Sequence, residues 1–461
     1  MMLFIGILML YLTGAALIVR ISKEFNIKEM ISLSFLIGLG INTFFMFLCD
    51  VIGFGFTQYV LFFASFALIV FSYDDLLAYF SAHKKNISLP NLNLSYINYP
   101  AALLFGLGLV FFYIITAKNL YWPTTEYDAI GSYDKLGMVM ALEGKIKISL
   151  FEWGLQGSGG IYPPYFHGGI AYMYLFGAES PKIITTLFYV SLILFFYSIV
   201  KKYVSAIVAL FFTLLLMLTP ELYSHAALLL SNIPTTALVG AGALSLFIAL
   251  DKERDDFLWI SAILFMLGLW CRHDTIGFAL AAILIVSFRF FKEKNWKLIG
   301  AYALIVMSSF IVWSLYLKFK IDIPATSRLV DSFSPNFQKL DIMITYVISM
   351  LSWKQFGALP PGYLLYGLGF LLPILFTLIN IKTIKTNKPF VLVFFAISFL
   401  VFFMIFFLID EKKQAATIFE LMESSFKRGM FYFLPTLIFY AATTPVTLRF
   451  SSWLERFRNQ V

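Results

Sequence analysis

Six carboxylates lie in one stretch, residues 118–181, which separates two long apolar parts of the chain. These acids are Glu126, Asp128, Asp134, Glu143, Glu152 and Glu179. Asp128 directly precedes a predicted helix over 129–142, so its carboxylate could take the proton of an incoming hydroxyl as a general base. The alternative is that Asp128 only caps this helix, because Asp is a favoured N-cap residue. Glu126 is either a second catalytic acid or a solvated side chain.

The same stretch predicts secondary structure of its own. The residues that share one face of the first helix are Ile130, Tyr133, Leu136, Gly137 and Met140. Gly144 follows as a helix stop, and Tyr162-Pro163-Pro164 opens a second helix rich in aromatic residues. A long connection with helices of its own is usually functional, so we expect the chemistry here.

The composition is that of a membrane protein. Of the 461 residues, 60% are hydrophobic and only 13% are charged, whereas globular proteins carry about 25% charged residues. The net charge of +8 is explained by basic loops at a membrane surface, and no nucleic-acid partner is expected. The fold class is therefore an all-α polytopic membrane protein in contact with a lipid bilayer.

Thirteen apolar segments are long enough to be candidate membrane spans. They are 2–19, 30–49, 57–79, 100–117, 182–200, 203–219, 232–250, 257–271, 275–291, 298–317, 363–381, 389–409 and 429–446. If their directions alternate, the positive-inside rule places more than half of the 34 basic residues in short cytoplasmic connections. The stretch 118–181 then lies outside, with amphipathic helices at the membrane surface.

This topology divides the chain into three parts. Residues 1–99 form three N-terminal transmembrane helices, 100–446 form a core that includes the external loop 118–181, and 447–461 form a basic cytoplasmic tail. The sequence contains no phosphate loop, dinucleotide fingerprint, metal-binding helix or nucleophile elbow. Chemistry driven by a cytosolic nucleotide is therefore not supported. The sequence shows no clean cluster of metal ligands either, so no cofactor and no metal are expected.

Several short motifs resemble those of the GT-C glycosyltransferases, and most of all the protein O-mannosyltransferases and the lipid A aminoarabinose transferases. Those that resemble the first external loop of that family are Glu126-Tyr127-Asp128-Ala129, Gly144, Tyr162-Pro163-Pro164 and Leu175-Phe176-Gly177. Ser231-Asn232-Ile233-Pro234, the run 268–274 and the run 428–435 resemble later elements. The resemblance covers roughly residues 100–445.

The resemblance implies a sugar donor on a polyprenyl phosphate, with its tail between helices. The donor phosphate needs a cation near the outer surface. Arg272 is the first candidate, because a charge at the end of a span is expensive without a partner, and Arg428, Lys427 and Lys182 follow. The alternative for Arg272 is a local pair with Asp274 or interfacial snorkelling.

Five further residues are candidates for binding the substrate. They are Tyr162, His167, His225, Asn232 and Asp274. The histidines could bind sugar hydroxyls and Tyr162 could stack on a sugar ring, whereas an aromatic belt and ordinary packing are the alternatives. Asn232 stands where the family often has a second acid.

The expected function is transfer of a glycosyl group, with inversion, to an acceptor outside the cytoplasm that is a glycan, a lipid or a protein. Asp128 would be the general base. The composition, rich in Ile, Phe and Lys, favours a bacterial or archaeal plasma membrane. Two alternatives stay open. The first is a lipid or sugar transporter or flippase, and the second is an inactive scaffold with the same fold, which Asn232 would fit.

Overall fold

The computed structural model describes residues 1–87, 99–152, 162–321, 337–350, 362–383, 388–408 and 417–460. Part of the stretch 118–181, residues 153–161, lies outside them. Within the described residues the chain is helical and no strand occurs.

Nine helices lie before residue 201. They are α1 (Met2–Ile21), α2 (Ile27–Ile52), α3 (Gln58–Phe71), α4 (Tyr73–Ile87), α5 (Tyr99–Tyr121), α6 (Asp134–Glu143), α7 (Ser149–Glu152), α8 (Tyr165–Leu175) and α9 (Ile183–Val200). A π-helical turn, Ala129–Tyr133, runs directly into α6. The predicted helices at 129–142 and after Pro164 thus both form, while their place outside the membrane stays a prediction.

Fourteen helices follow in the described part of the chain. They are α10 (Ala206–Met217), α11 (Pro220–His225), α12 (Asn232–Lys252), α13 (Asp255–Cys271), α14 (Ile276–Phe291), α15 (Trp296–Tyr316), α16 (Gln338–Met350), α17 (Gly362–Tyr366), α18 (Leu371–Ile379), α19 (Pro389–Leu408), α20 (Ile418–Leu421), α21 (Lys427–Met430), α22 (Leu434–Ala442) and α23 (Pro445–Gln460). Short 3-10 or π turns connect some of them.

Eight helices among the described residues are long and apolar enough to cross a membrane, or up to ten if two bent pairs each count as one span. The prediction of a multi-pass all-α protein is confirmed, but the count of thirteen is not. The predicted span 203–219 gives only the 12-residue α10, 257–271 gives the 17-residue α13, and 363–381 is divided between α17 and α18. Apolar composition alone does not show where such helices break.

Burial shows which spans lie inside the bundle. In the apolar window of α12, 94% of the residues are buried, whereas the figure for α5 is 6%. The central α12 is surrounded by α9, α13 and α22, and α5 lies at the periphery with its side chains available to lipid. The candidate site is built at one end of this buried helix.

Close packing of α6 on α8 positions the start of the 118–181 stretch. A Cβ on Gly137 of α6 would lie 2.3 Å from Ile170 Cγ2 of α8, so only glycine allows this approach. Gly144 then ends α6 in the left-handed conformation, with φ +63°, which favours glycine. Beyond it, the backbone N–H groups of Ile146 and Lys147 donate to Asp50 Oδ1 at 2.9 and 3.2 Å, which ties the stretch to the end of α2.

Several connections that the positive-inside rule predicts to be cytoplasmic lie at the same end of the bundle, where ion pairs join them. We call this the basic end: the connections at 20–26, 201–205, 251–254, 289–295 and 388, with α4 and α23. Its contacts include Lys23–Asp75 at 2.8 Å, Arg254–Glu24 at 3.0 Å, Lys388–Asp251 at 3.4 Å and Arg289–Glu253 at 3.7 Å. These connections therefore share one face, while the compartment that this face meets stays a prediction.

Candidate functional site

Asp128 lies in the first turn of the helix that follows α5. Helical backbone begins at Tyr127, and the carbonyl of Glu126 accepts bonds from the N–H groups of Ala129 and Ile130, both at 3.0 Å. Asp128 already has helical φ and ψ of −64° and −32°, and its side chain makes no capping hydrogen bond. Its carboxylate instead contacts another part of the chain.

The partner of Asp128 is Arg428, which is 300 residues away in the sequence. Arg428 Nη1 lies 3.0 Å from Asp128 Oδ2, and Arg428 Nε donates to the carbonyl of Ser424 at 2.5 Å. The Arg428 side chain is 28% exposed and that of Asp128 is 44% exposed, so a ligand can reach both. A candidate base and a candidate phosphate ligand thus form one ion pair.

A second cation lies next to this pair. Lys427 Nζ is 3.7 Å from Glu221 Oε1, and the same oxygen is 3.9 Å from His225 Nδ1. His225 Nδ1 is also 2.8 Å from the carbonyl oxygen of Glu221, so this nitrogen carries the proton and donates it. Burial raises the pKa of Glu221, an effect that Lys427 and Arg428 oppose.

His225 is neutral at pH 7. Burial lowers its pKa to about 4, with Arg428 and Lys427 contributing in the same direction against the hydrogen bond to the Glu221 carbonyl. Its ring centroid lies 5.0 Å from that of Phe431. His225 can therefore offer hydrogen bonds but no positive charge.

Arg272 is already paired with Asp274, as one of the sequence alternatives held. Arg272 Nε lies 3.0 Å from Asp274 Oδ1, and Nη2 lies 2.7 Å from Oδ2. The guanidinium also lies 4.9 Å from the ring centroid of Tyr162. The side chain of Arg272 is 15% exposed, so most of this cation is covered by protein.

A chain of hydroxyls connects Arg272 to the helix of Asp128. Arg272 Nη1 donates to Ser231 Oγ at 3.1 Å, and Ser231 Oγ lies 2.9 Å from the hydroxyl of Tyr133. Tyr133 is five residues after Asp128, and the two side chains are close enough for electrostatic interaction. The hydroxyls of Tyr133 and Ser231 therefore connect Arg272 to the helix that carries Asp128.

The other predicted binding residues have mainly packing contacts. Asn232 Nδ2 donates to the hydroxyl of Tyr432 at 3.1 Å, and Asn232 is only 5% exposed. His167 is buried in α8, where its ring stacks on Tyr133 with 5.2 Å between the ring centroids. Burial lowers the pKa of His167 to about 4, so it is neutral at pH 7.

Lys182 fixes the beginning of the 118–181 stretch. Its ammonium donates to the carbonyls of Trp122 and Pro123 at 3.4 and 3.2 Å, and the residue is buried. Glu126 lies near enough for attraction to this cation. Glu126 Oε2 is buried and accepts no hydrogen bond within the described parts of the chain.

The sequence did not predict roles for the hydroxyls of Tyr133, Ser231 and Tyr432. Tyr133 was expected on the apolar face of its helix, and burial of its ring agrees with that. Ser231 belongs to the run Ser231-Asn232-Ile233-Pro234, which was noted only for its resemblance to a GT-C motif. The tertiary structure shows that Ser231 contacts Arg272 and Tyr133, and that Tyr432 contacts Asn232.

An apolar cavity of about 410 Å³ begins close to the charged groups. Its walls come from α16, α18, α19 and α22, and Met430, two residues after Arg428, is part of the lining. Tyr346, at the adjacent turn of α16, is close enough to Glu221 for electrostatic interaction. This cavity is the size and polarity that a small apolar group, such as part of a lipid tail, requires.

Within the described residues, no group of three or more His, Cys, Asp or Glu side chains is placed to hold a metal. The cations and carboxylates found here can instead bind a phosphate and move a proton.

Comparison with known families gives one match. Residues 160–313, about a third of the chain, match the family model of dolichyl-phosphate-mannose-protein mannosyltransferases. No curated protein and no solved structure matches the chain. The matched segment includes Arg272 and Asp274 but not Asp128, Lys427 or Arg428. The resemblance inferred from short motifs is confirmed over residues 160–313, which are similar to this family of GT-C membrane glycosyltransferases.

Proposed function

We propose that this protein transfers a glycosyl group from a polyprenyl-phosphate donor to a hydroxyl of an acceptor outside the cytoplasm, in a bacterial or archaeal plasma membrane. The observation that carries the proposal is the ion pair of Asp128 and Arg428, which leaves a carboxylate and a cation accessible side by side. The match to mannosyltransferases over residues 160–313 supports a lipid-linked donor.

In this proposal Arg428 and Lys427 bind the donor phosphate. Arg428 uses Nη1 for Asp128 and Nε for the Ser424 carbonyl, so its Nη2 group is available for a phosphate oxygen. Guanidinium and ammonium groups form short, charge-assisted bonds to phosphate. The apolar cavity beside Met430 would then take the first part of the polyprenyl tail.

Arg272 has a different role in the proposal. Its guanidinium is held by both oxygens of Asp274 and by Ser231, and a phosphate would have to displace one of them. We therefore assign Arg272 to positioning: with Tyr162 above it and Tyr133 behind Ser231, it orients the helix that carries Asp128. Lys182 positions the beginning of the same stretch through the carbonyls of Trp122 and Pro123.

The reaction follows from these roles. One oxygen of Asp128 accepts the proton of the acceptor hydroxyl, and the hydroxyl oxygen forms a bond to the anomeric carbon. The bond from that carbon to the phosphate oxygen breaks, and the polyprenyl phosphate leaves with the electron pair. Arg428 and Lys427 stabilise the charge that the phosphate gains. Attack opposite the leaving group inverts the anomeric centre.

The neutral side chains near this pair suit a sugar. His225 is neutral, and Tyr162 presents a ring beside Arg272. Hydrogen bonds from such groups fix a sugar without adding charge. The amide of Asn232 lies in the same region, bonded to Tyr432.

The variant Asp128→Asn tests the proposal. Asn keeps the shape of the side chain but cannot accept the proton, and a general base typically contributes about 10²–10⁴-fold to rate. We expect release of polyprenyl phosphate from a panel of polyprenyl-phosphate sugars, with membrane extract as acceptor, to fall at least about a hundredfold. Melting temperature and expression should remain normal.

The control is Glu179→Gln, which changes an exposed acid of the same stretch and should leave turnover within about twofold of the wild type. Near-normal turnover in Asp128→Asn would remove Asp128 as the base and direct attention to Glu126 or Glu221. If the wild type binds the donors without releasing polyprenyl phosphate, the protein is a scaffold and the proposal is wrong.

A further inference from the structure

A second cavity lies at the basic end, away from the candidate site. Its volume is about 360 Å³, and it is lined by Asn26, Ile27, Lys28, Ser198, Lys201 and Lys202. Helix α9 runs from Lys182, which contacts the start of the 118–181 stretch, to this cavity. Its 18 residues span about 27 Å at a rise of 1.5 Å per residue, so the two sites lie at opposite ends of the bundle.

One of the three lysines in the cavity has a carboxylate partner. Lys202 Nζ lies 2.9 Å from Glu29 Oε1, and the Glu29 side chain is fully buried. Ser198 Oγ donates to the same oxygen at 3.2 Å. Glu29 is therefore paired with Lys202, and its single charge also attracts Lys28, so three lysines share one carboxylate here.

Lys28 and Lys201 supply an excess of positive charge. Neither lies within ion-pair distance of a carboxylate in the described part of the chain, and the two ammonium groups repel one another. Partial burial of Lys28 increases the cost of this repulsion. An anion between the two lysines would remove that cost.

The remaining wall of the cavity is held in place by hydrogen bonds. Asn26 Oδ1 accepts from the N–H groups of Lys28 and Glu29 at 3.0 and 3.1 Å, and Asn26 Nδ2 donates to Ser198 Oγ at 2.9 Å. This arrangement begins the 26-residue α2, and the positive end of its dipole adds to the attraction for an anion. These hydrogen bonds fix the wall of the cavity formed by Asn26 and Ser198.

Two helices beside the cavity, α4 and α23, are bent away from the axes of the helices that precede them. Helix α4 is bent by 65° from α3, and Tyr79 of α4 donates to the carbonyl of Phe25 at 2.9 Å, next to Asn26. Helix α23 is bent by 59° from the helices before it, and Ser451 of α23 accepts a bond from the N–H of Ser205 at 2.7 Å. Both helices thus pack on the elements that line the cavity.

The outer face of α23 fits the surface of a bilayer. Phe450, Trp453 and Phe457 are each more than half exposed and stack in a row, with 5.8 and 5.9 Å between successive ring centroids. Aromatic residues on one face of a basic helix are typical of helices that lie in the interface. A helix of this kind in the interface would place the neighbouring cavity at the depth of lipid head groups.

We propose that this cavity binds the phosphate of an anionic phospholipid head group, with Lys28 and Lys201 as its cationic ligands. Basic pockets between helices on the cytoplasmic side of a membrane bind such head groups. The position beside two surface helices favours a lipid over a soluble phosphate, because a lipid reaches this depth from within the bilayer. The lipid would hold the start of α2 and the end of α9 together.

The test uses the full-length protein, delipidated in detergent and titrated with phosphatidylglycerol or phosphatidylcholine under native mass spectrometry. The variant Lys28→Ala/Lys201→Ala should bind phosphatidylglycerol at least about tenfold more weakly than the wild type, because it loses charged hydrogen bonds. The matched control Lys292→Ala/Lys297→Ala removes the same charge from exposed positions at the same end and should change binding less than about twofold.

Three results would overturn the proposal: equal effects in the two double variants, equal binding of phosphatidylcholine, or displacement of the lipid by millimolar inorganic phosphate. The last would identify a site for soluble phosphate. Melting without lipid checks that each variant is folded, and Lys28→Gln/Lys201→Gln replaces the alanine pair if it is not. The binding measurement needs no sugar transfer, so it stands or falls separately from the proposed function.

Discussion

The two ends of the bundle carry charge in different ways. At the site end, defined by Asp128, Glu221, Arg272, Lys427 and Arg428, each of these cations has an acidic partner, and two of the three pairs join residues more than 200 positions apart. At the basic end, Lys28 and Lys201 face one cavity without such a partner in the described residues. At the site end the accessible pair of Asp128 and Arg428 keeps a carboxylate and a cation side by side, whereas the two lysines at the basic end favour a bound anion.

The largest expected effect concerns which end faces the outside of the cell. In a background without Cys49 and Cys271, Glu179→Cys should react with a membrane-impermeant maleimide in intact cells, whereas Ser452→Cys should react only after permeabilisation. Both positions are exposed, so access depends on the compartment. Labelling of both after permeabilisation is the control, and the reverse pattern in intact cells would place Asp128 in the cytoplasm.

The next effect concerns binding of the donor phosphate at the site end. Arg428→Ala should raise the KM for the donor at least about tenfold, because a charge-assisted bond to phosphate is lost. Arg428→Lys should recover part of this loss, since an ammonium keeps the charge but not the forked geometry. Donor titrations in initial-rate assays measure both variants.

The control for this prediction is Arg449→Ala, which removes an exposed arginine at the basic end and should leave the KM unchanged. An unchanged KM in Arg428→Ala would exclude Arg428 as a ligand of the donor phosphate. Comparing Arg428→Ala with Arg449→Ala thus shows whether donor binding needs positive charge at the site end in particular.

The smallest effect is a pH dependence of stability. The folded-state pKa of His167 and His225 is about 4, below the usual value of 6.5, because burial disfavours the charged ring. Their stabilising contribution is therefore complete above pH 6.5 and is lost as the pH falls from about 6.5 to 4. Thermal melting across this range should show a falling melting temperature, and His225→Gln should reduce the slope.

The comparison for this prediction is His83→Gln at the basic end, where the histidine is only partly buried. This variant should keep the slope of the wild type. If His83→Gln and His225→Gln flatten the curve equally, burial at the site end is not the cause.

Local patterns predicted much of the architecture. Apolar length identified the eight helices that can cross a membrane. The 3.6-residue period identified the helix with Tyr133, Leu136 and Met140 on its buried face, but Ile130, expected on the same face, is exposed. Gly144 ends that helix as expected. The bend of 65° after α3 was not predicted, because Ser72 is an ordinary polar residue in an apolar run and its bond to Arg20 comes from another part of the chain.

The sequence by itself determined a membrane-embedded helical protein, the helix after Asp128 and the resemblance to GT-C glycosyltransferases, because apolar runs, helical periodicity and short motifs are local properties. The tertiary structure decided which charges meet. It paired Asp128, the candidate base, with Arg428, a candidate phosphate ligand, and it left Lys28 beside Lys201. The physical reason is that a Coulomb interaction depends on distance in space, and the packing of helices around α12 sets that distance.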